Sequence, residues 1–95
     1  MAYLLIRHKV ADYKKWKAVF DDASALRKAG GEKGGQVLHL EGDPNNLLML
    51  FEWESLEKAH DYVQSEDLRK GMQEAGVVEQ PEMYFLSEVE RVPAP

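Results

Sequence analysis

Three histidines, an aromatic run and one tyrosine carry most of the chemistry open to this chain. His8, His39 and His60 are its only histidines, and histidine is the usual proton-transfer group near neutral pH. No two of them have the spacing of metal ligands on a helix. With no cysteine in the chain, thiolate metal sites, cysteine nucleophiles and disulfides are excluded. Met49, Phe51 and Trp53 alternate, so on a strand they share one face. Together they would make a soft aromatic wall suited to a hydrophobic ligand. The plainer reading of Trp53 is a core or subunit-interface aromatic. His39 alternates with Val37 and Glu41, opposite Leu38 and Leu40, so it could face a chamber. His8 shares a face with Leu4 and Ile6. Arg27 could hold a ligand anion, although compensation of a helix dipole explains it more simply. Glu52, Glu54 and Glu57 form no pair suited to two-carboxylate chemistry.

These residues need elements to position them, and residues 47–53 are the most informative. Leu47 to Phe51 are apolar at every position. A strand shows alternate side chains to its two faces, so such a strand needs cover on both. Residues 2–9 read as a first strand. Residues 12–29 read as a helix, with Tyr13, Trp16, Phe20, Ala23 and Leu26 on one stripe, Asp12 as its cap and Gly30-Gly31 as its stop. Residues 30–35 hold four glycines and read as a loop, without the pattern of a phosphate-binding loop. Residues 36–41 form a second strand, and Asp43-Pro44-Asn45-Asn46 a turn into the third. Ser55 caps a helix over 56–64 whose apolar side includes Tyr62, and Ser65 caps another ending at Gly76. Gly71 lies inside that helix, where close backbone contact would explain it. A last strand covers roughly 83–91.

Strand, helix, strand, strand, helix, strand is the order of the ferredoxin-like α+β fold: a four-stranded antiparallel sheet with its helices on one face. Residues 1–95 are read as one such domain. The third strand is then central. The helices would cover one face, with Leu48 and Leu50 toward them. Met49, Phe51 and Trp53 would be left for a partner sheet and a pocket. A homodimer through the open face is expected, because a large exposed apolar patch marks an interaction site.

Composition bounds the rest. A net charge of −5 argues against nucleic acid and against an anionic membrane surface. No apolar run approaches the ~20 residues that span a bilayer. The N-terminal stretch lacks the basic region of a signal peptide, so the expected location is cytoplasmic.

Leu50 to Ser55, Leu-Phe-Glu-Trp-Glu-Ser, followed by a capped helix and Ser65-Glu66-Asp67-Leu68, resembles the antibiotic-biosynthesis monooxygenase-like family of the dimeric α/β-barrel superfamily. Asp12, Tyr13 and Trp16 resemble the start of the first helix in a cyclase-like bacterial subgroup. The resemblance implies paired sheets enclosing a pocket in each subunit. It also implies, for some members, oxidation of quinols or polyphenols without metal or flavin, and for others the handling of haem. The chain departs from the family at two places: Phe51 stands where a glutamate is common, and Tyr62 where a histidine is common.

Three functions follow as expectations. The first is a cofactor-independent oxygenase or cyclase acting on a hydrophobic aromatic substrate. Trp53, Phe51, Met49 and His8 would bind it, and His39 or Tyr62 would take a phenolic proton. The second is a non-enzymatic binding or sensing protein that uses the same chamber. The third is a haem-handling protein. The first two need no cofactor.

Overall fold

The computed structural model describes residues 1–95. Its elements run β1 (Ala2–Lys9), α1 (Tyr13–Asp22), α2 (Ser24–Gly30), β2 (Glu32–Leu40), β3 (Asp43–Trp53), α3 (Leu56–Val63), α4 (Glu66–Glu74) and β4 (Glu82–Ser87). The strands form one antiparallel sheet in the order β2-β3-β1-β4, so β3 and β1 are central. This is the ferredoxin-like arrangement, with the helices on one face.

Local chemistry sets the helix starts. The Asp12 carboxylate accepts from the Lys14 amide at 2.9 Å, Ser55 Oγ from the Lys58 amide at 3.1 Å, and Ser65 Oγ from the Leu68 amide at 3.2 Å. Gly31, at φ 114°, ends α2 in the left-handed conformation that glycine adopts without strain. The stripe expected as one helix over 12–29 is two segments that meet at Ala23.

The glycine-rich segment is not a loop. β2 begins at Glu32 and passes through a bulge at Lys33. At Gly35 a Cβ would fall 2.0 Å from the Leu50 carbonyl oxygen, so only glycine fits this close strand approach. The last strand is shorter than expected and ends at Ser87.

The parity of β3 is the main correction. Leu47, Met49 and Trp53 are buried with Phe51 beside them, opposite Leu4, Ile6 and His8 of β1. Trp16 of α1 and Ala59 of α3 close over this face. Met49, Phe51 and Trp53 therefore face the chain's own helices, and Leu48 and Leu50 face away. Leu48 and Leu50 join Leu5, the exposed Leu38 and the exposed Tyr84 and Leu86 on the open face. An Arg7–Glu82 ion pair at 3.2 Å lies on the same side. No helix is long and apolar enough to cross a membrane.

Candidate functional site

The sheet and the helices do not meet everywhere. Between them lies a cavity of about 70 Å³ lined mainly by apolar and aromatic side chains. Its floor is Leu4, Ile6 and His8 of β1 with Met49, Phe51 and Trp53 of β3. Strand alternation puts all six on one face. Its walls come from Trp16 and Phe20 of α1, Leu26 and Arg27 of α2, Tyr62 of α3 and the Leu68, Gly71, Met72, Ala75 stripe of α4. An outer cleft of about 410 Å³ carries Lys58, Asp61 and Ser65 and shares Leu26, Tyr62 and Asp67 with the cavity. Those three shared residues lie at the boundary between the inner chamber and the cleft.

Polar groups sit at its two ends. At one end Arg27 is buried and donates from Nε to Glu32 Oε1 at 2.9 Å. It also donates from a terminal nitrogen to the Phe20 carbonyl at 2.6 Å, and its guanidinium lies 3.6 Å from the Phe20 ring centre. Tyr62 packs against Trp53 with ring centres 4.9 Å apart. Burial raises the Tyr62 hydroxyl pKa above its ordinary value, Arg27 pulls it down, and Glu32 adds to the rise. The Tyr62 side chain is therefore a proton-bearing donor at neutral pH and a poor base. Trp53 Nε1 is buried with no protein acceptor.

At the other end is His8, 5% exposed, with no protein partner for either ring nitrogen. Burial lowers its pKa to about 4, so the ring is neutral at physiological pH. In the β1–β3 register His8 pairs with Leu47 and Trp53 with Ala2. The two backbones are thus about 20 Å apart along the strands.

Five of the six residues expected to form a site line this chamber: Met49, Phe51, Trp53, His8 and Tyr62. His39 does not. It has inward parity, but β2 is the edge strand, and His39 is exposed there with Nδ1 2.8 Å from the Leu40 carbonyl. The chamber also lies on the helix side of the sheet, where no partner sheet was needed to build it. His60 is exposed and stacks on Phe85 at 3.7 Å. The Arg27–Glu32 pair joins a helix to a segment read as a loop, and nothing in a five-residue separation marks it.

Gly71 lines the chamber with open space where a Cβ would stand, so close contact does not explain it. A glycine inside a helix costs about 0.5–1 kcal/mol relative to alanine. Gly71→Ala is therefore expected to stabilise the fold by about that amount, read by urea denaturation. Gly71→Leu should fill the chamber and weaken any ligand. Destabilisation by the alanine would show that the backbone there is crowded after all.

No family model and no curated protein matches the chain. Its fold is that of the antibiotic biosynthesis monooxygenases of known structure, over nearly the full length. SnoaB, a cofactor-independent oxygenase from Streptomyces nogalater, superposes with a TM-score of 0.78 at 12% identity, covering 98% of this chain and 97% of that one. A proposed antibiotic biosynthesis monooxygenase from Bordetella bronchiseptica gives 0.77 at 18% identity, covering 94% and 97%. One from Deinococcus radiodurans gives 0.71 at 13% identity, covering 100% and 99%. At these identities the likeness is one of fold.

Proposed function

We propose that the chain binds a hydrophobic aromatic molecule of the quinol or polyphenol class in the chamber and oxidises it with dioxygen without a cofactor. The observation that carries this is an apolar chamber walled by Trp16, Phe20, Phe51 and Trp53 with Arg27, Glu32 and Tyr62 at one end. Loss of a phenolic proton makes such a ring a better electron donor to dioxygen. In this reading Glu32 receives the substrate's proton, and Arg27, already paired with it, compensates the phenolate. Tyr62 and Trp53 Nε1 donate hydrogen bonds to the ring oxygens. His39 is left out because it is remote from the chamber. The fold shared with SnoaB supports the same reading.

Oxygen uptake by the purified protein with a panel of small quinols tests it. Uptake above buffer that falls at least tenfold in Glu32→Gln is expected. No uptake with any quinol would overturn the oxygenase reading.

A second reading, binding without turnover, is favoured by one observation. Of the two residues that the sequence offers for taking the phenolic proton, Tyr62 holds its own and His39 lies outside the chamber. Native mass spectrometry of freshly purified protein separates the two. A retained, unaltered aromatic with no oxygen uptake supports pure binding. Haem has less to recommend it: the larger cleft holds no histidine.

We also propose that the chain pairs with a second copy through the open sheet face. Leu5, Leu48 and Leu50 with the exposed Leu38, Tyr84 and Leu86 form an apolar surface across all four strands. Sedimentation equilibrium at micromolar concentration should return a dimer, and Leu50→Lys a monomer. A wild-type monomer would refute the pairing.

A further inference from the structure

The chamber has a second polar end that the proposed oxidation does not use. His8 meets Trp16 edge-on with ring centres 5.9 Å apart, and Trp16 stacks on Phe20 at 4.8 Å. Phe20 in turn carries the Arg27 guanidinium. An aromatic ladder therefore runs from His8 at one end to the Arg27–Glu32 pair at the other. A neutral imidazole has one N–H donor and one lone-pair acceptor. In His8 both are buried in the chamber wall, and neither has a hydrogen-bond partner in the protein. Buried polar atoms are nearly always satisfied, because leaving them bare is costly. Leucine at the same place would pack with Leu4 and Ile6 at no such cost.

We propose that His8 is the recognition group at the inner end of the chamber, exchanging hydrogen bonds with a neutral hydroxyl carried on an aromatic ring. The inference rests on the chamber being a ligand site, as argued above, and narrows the ligand's class. A hydroxyl can accept from the imidazole N–H and donate to its lone pair, which matches what His8 offers. A carboxylate or phenolate does not match. The imidazole is neutral, and the one cation lining the chamber, Arg27, lies at the opposite end beside Glu32. An anion at this end would be buried without compensation. The ring itself would lie against Trp16, with Met49 and Met72 as the adaptable parts of the wall.

Phenol and toluene are the probes. They are close in shape and differ in one hydroxyl. Titration by calorimetry or by tryptophan fluorescence should show phenol binding about tenfold more tightly than toluene to the wild type. In His8→Leu the order should reverse, since phenol is the better hydrated of the two in water. Equal preference in both proteins, or tighter toluene binding to the wild type, would overturn the role of His8 while leaving the chamber intact. Failure of both probes to bind would overturn the chamber reading and this inference together. A second measurement does not depend on a variant. Imidazole ¹⁵N resonances of the three histidines should respond to phenol at one residue, His8, with His39 and His60 unmoved. A His8 signal unchanged at saturating phenol would refute the hydrogen bond.

Discussion

Arg27→Met is expected to cost the fold about 3–5 kcal/mol. The guanidinium is buried and ion-paired to Glu32 at 2.9 Å, with side-chain exposures of 7% and 12%. Removing it leaves a carboxylate in the chamber wall without its counter-charge, and breaking a buried pair typically costs this much. It also strips the Phe20 carbonyl of its donor and the Phe20 ring of its cation. A domain of this size has a total stability of only about 5–15 kcal/mol, so the variant should lose a large share of it. The double replacement Arg27→Met with Glu32→Leu should recover most of the loss, because two apolar groups need no mutual compensation. Urea denaturation of both variants at one fixed protein concentration checks this, the fixed concentration being needed if two copies associate. A single variant within about 1 kcal/mol of wild type would show that water already screens the pair.

The second large effect is a pH dependence carried by His8. Its pKa is about 4 in the folded chain against an ordinary value of 6.5. Between those two values the unfolded chain holds a proton that the folded chain does not. Acidification through that window therefore favours unfolding. The contribution is fully present above pH 6.5, shrinks as pH falls toward 4 and is flat below it. The gap corresponds to about 3 kcal/mol. In His8→Leu this component disappears. The leucine variant should also be more stable at pH 7, where the wild type bears an unpaired polar ring at a cost of about 1–3 kcal/mol. Unfolding free energies at pH 7, 6, 5 and 4.5 decide it. Parallel curves for the two proteins would mean that His8 is solvated in the folded state.

Much of this architecture can be read from residue types because local signals and global fold agree. Asp12, Ser55 and Ser65 announce helix starts and make those hydrogen bonds. The long apolar run of residues 47–51 marks a central strand, and β3 is one. The same run hides its own parity. With leucines at 47, 48 and 50 no alternation distinguishes the two faces, and only the register against Leu4, Ile6 and His8 does so. The glycines of 30–35 were legible as flexible backbone. That Gly35 serves a strand approach of 2.0 Å for a missing Cβ depends on a neighbour fifteen residues away. Nothing in the residue types marks the break at Ala23.

The site divides in the same manner. Trp53, Phe51 and Met49 stand out by period, and Tyr62 by its place on an apolar helix side. His39 has the right parity, but it sits on the edge strand, where its side chain is exposed. Glu32 escapes notice because its partner Arg27 lies across a helix end and a left-handed glycine.

The roof of the chamber is four short helices, and no residue of α4 is fully buried. Segments with few buried contacts open at lower free energy than the sheet they cover. A fixed chamber of about 70 Å³ would exclude even benzene, for which an engineered apolar cavity of ~150 Å³ suffices. A roof that lifts in segments sets no such ceiling, since a ring can enter past Leu26 and Asp67 while the pairing of β1 with β3 stays whole. Ligand size would then follow from the free energy of lifting α4 off the chamber, and the range of molecules accepted would be a property of a fluctuation rather than of a volume.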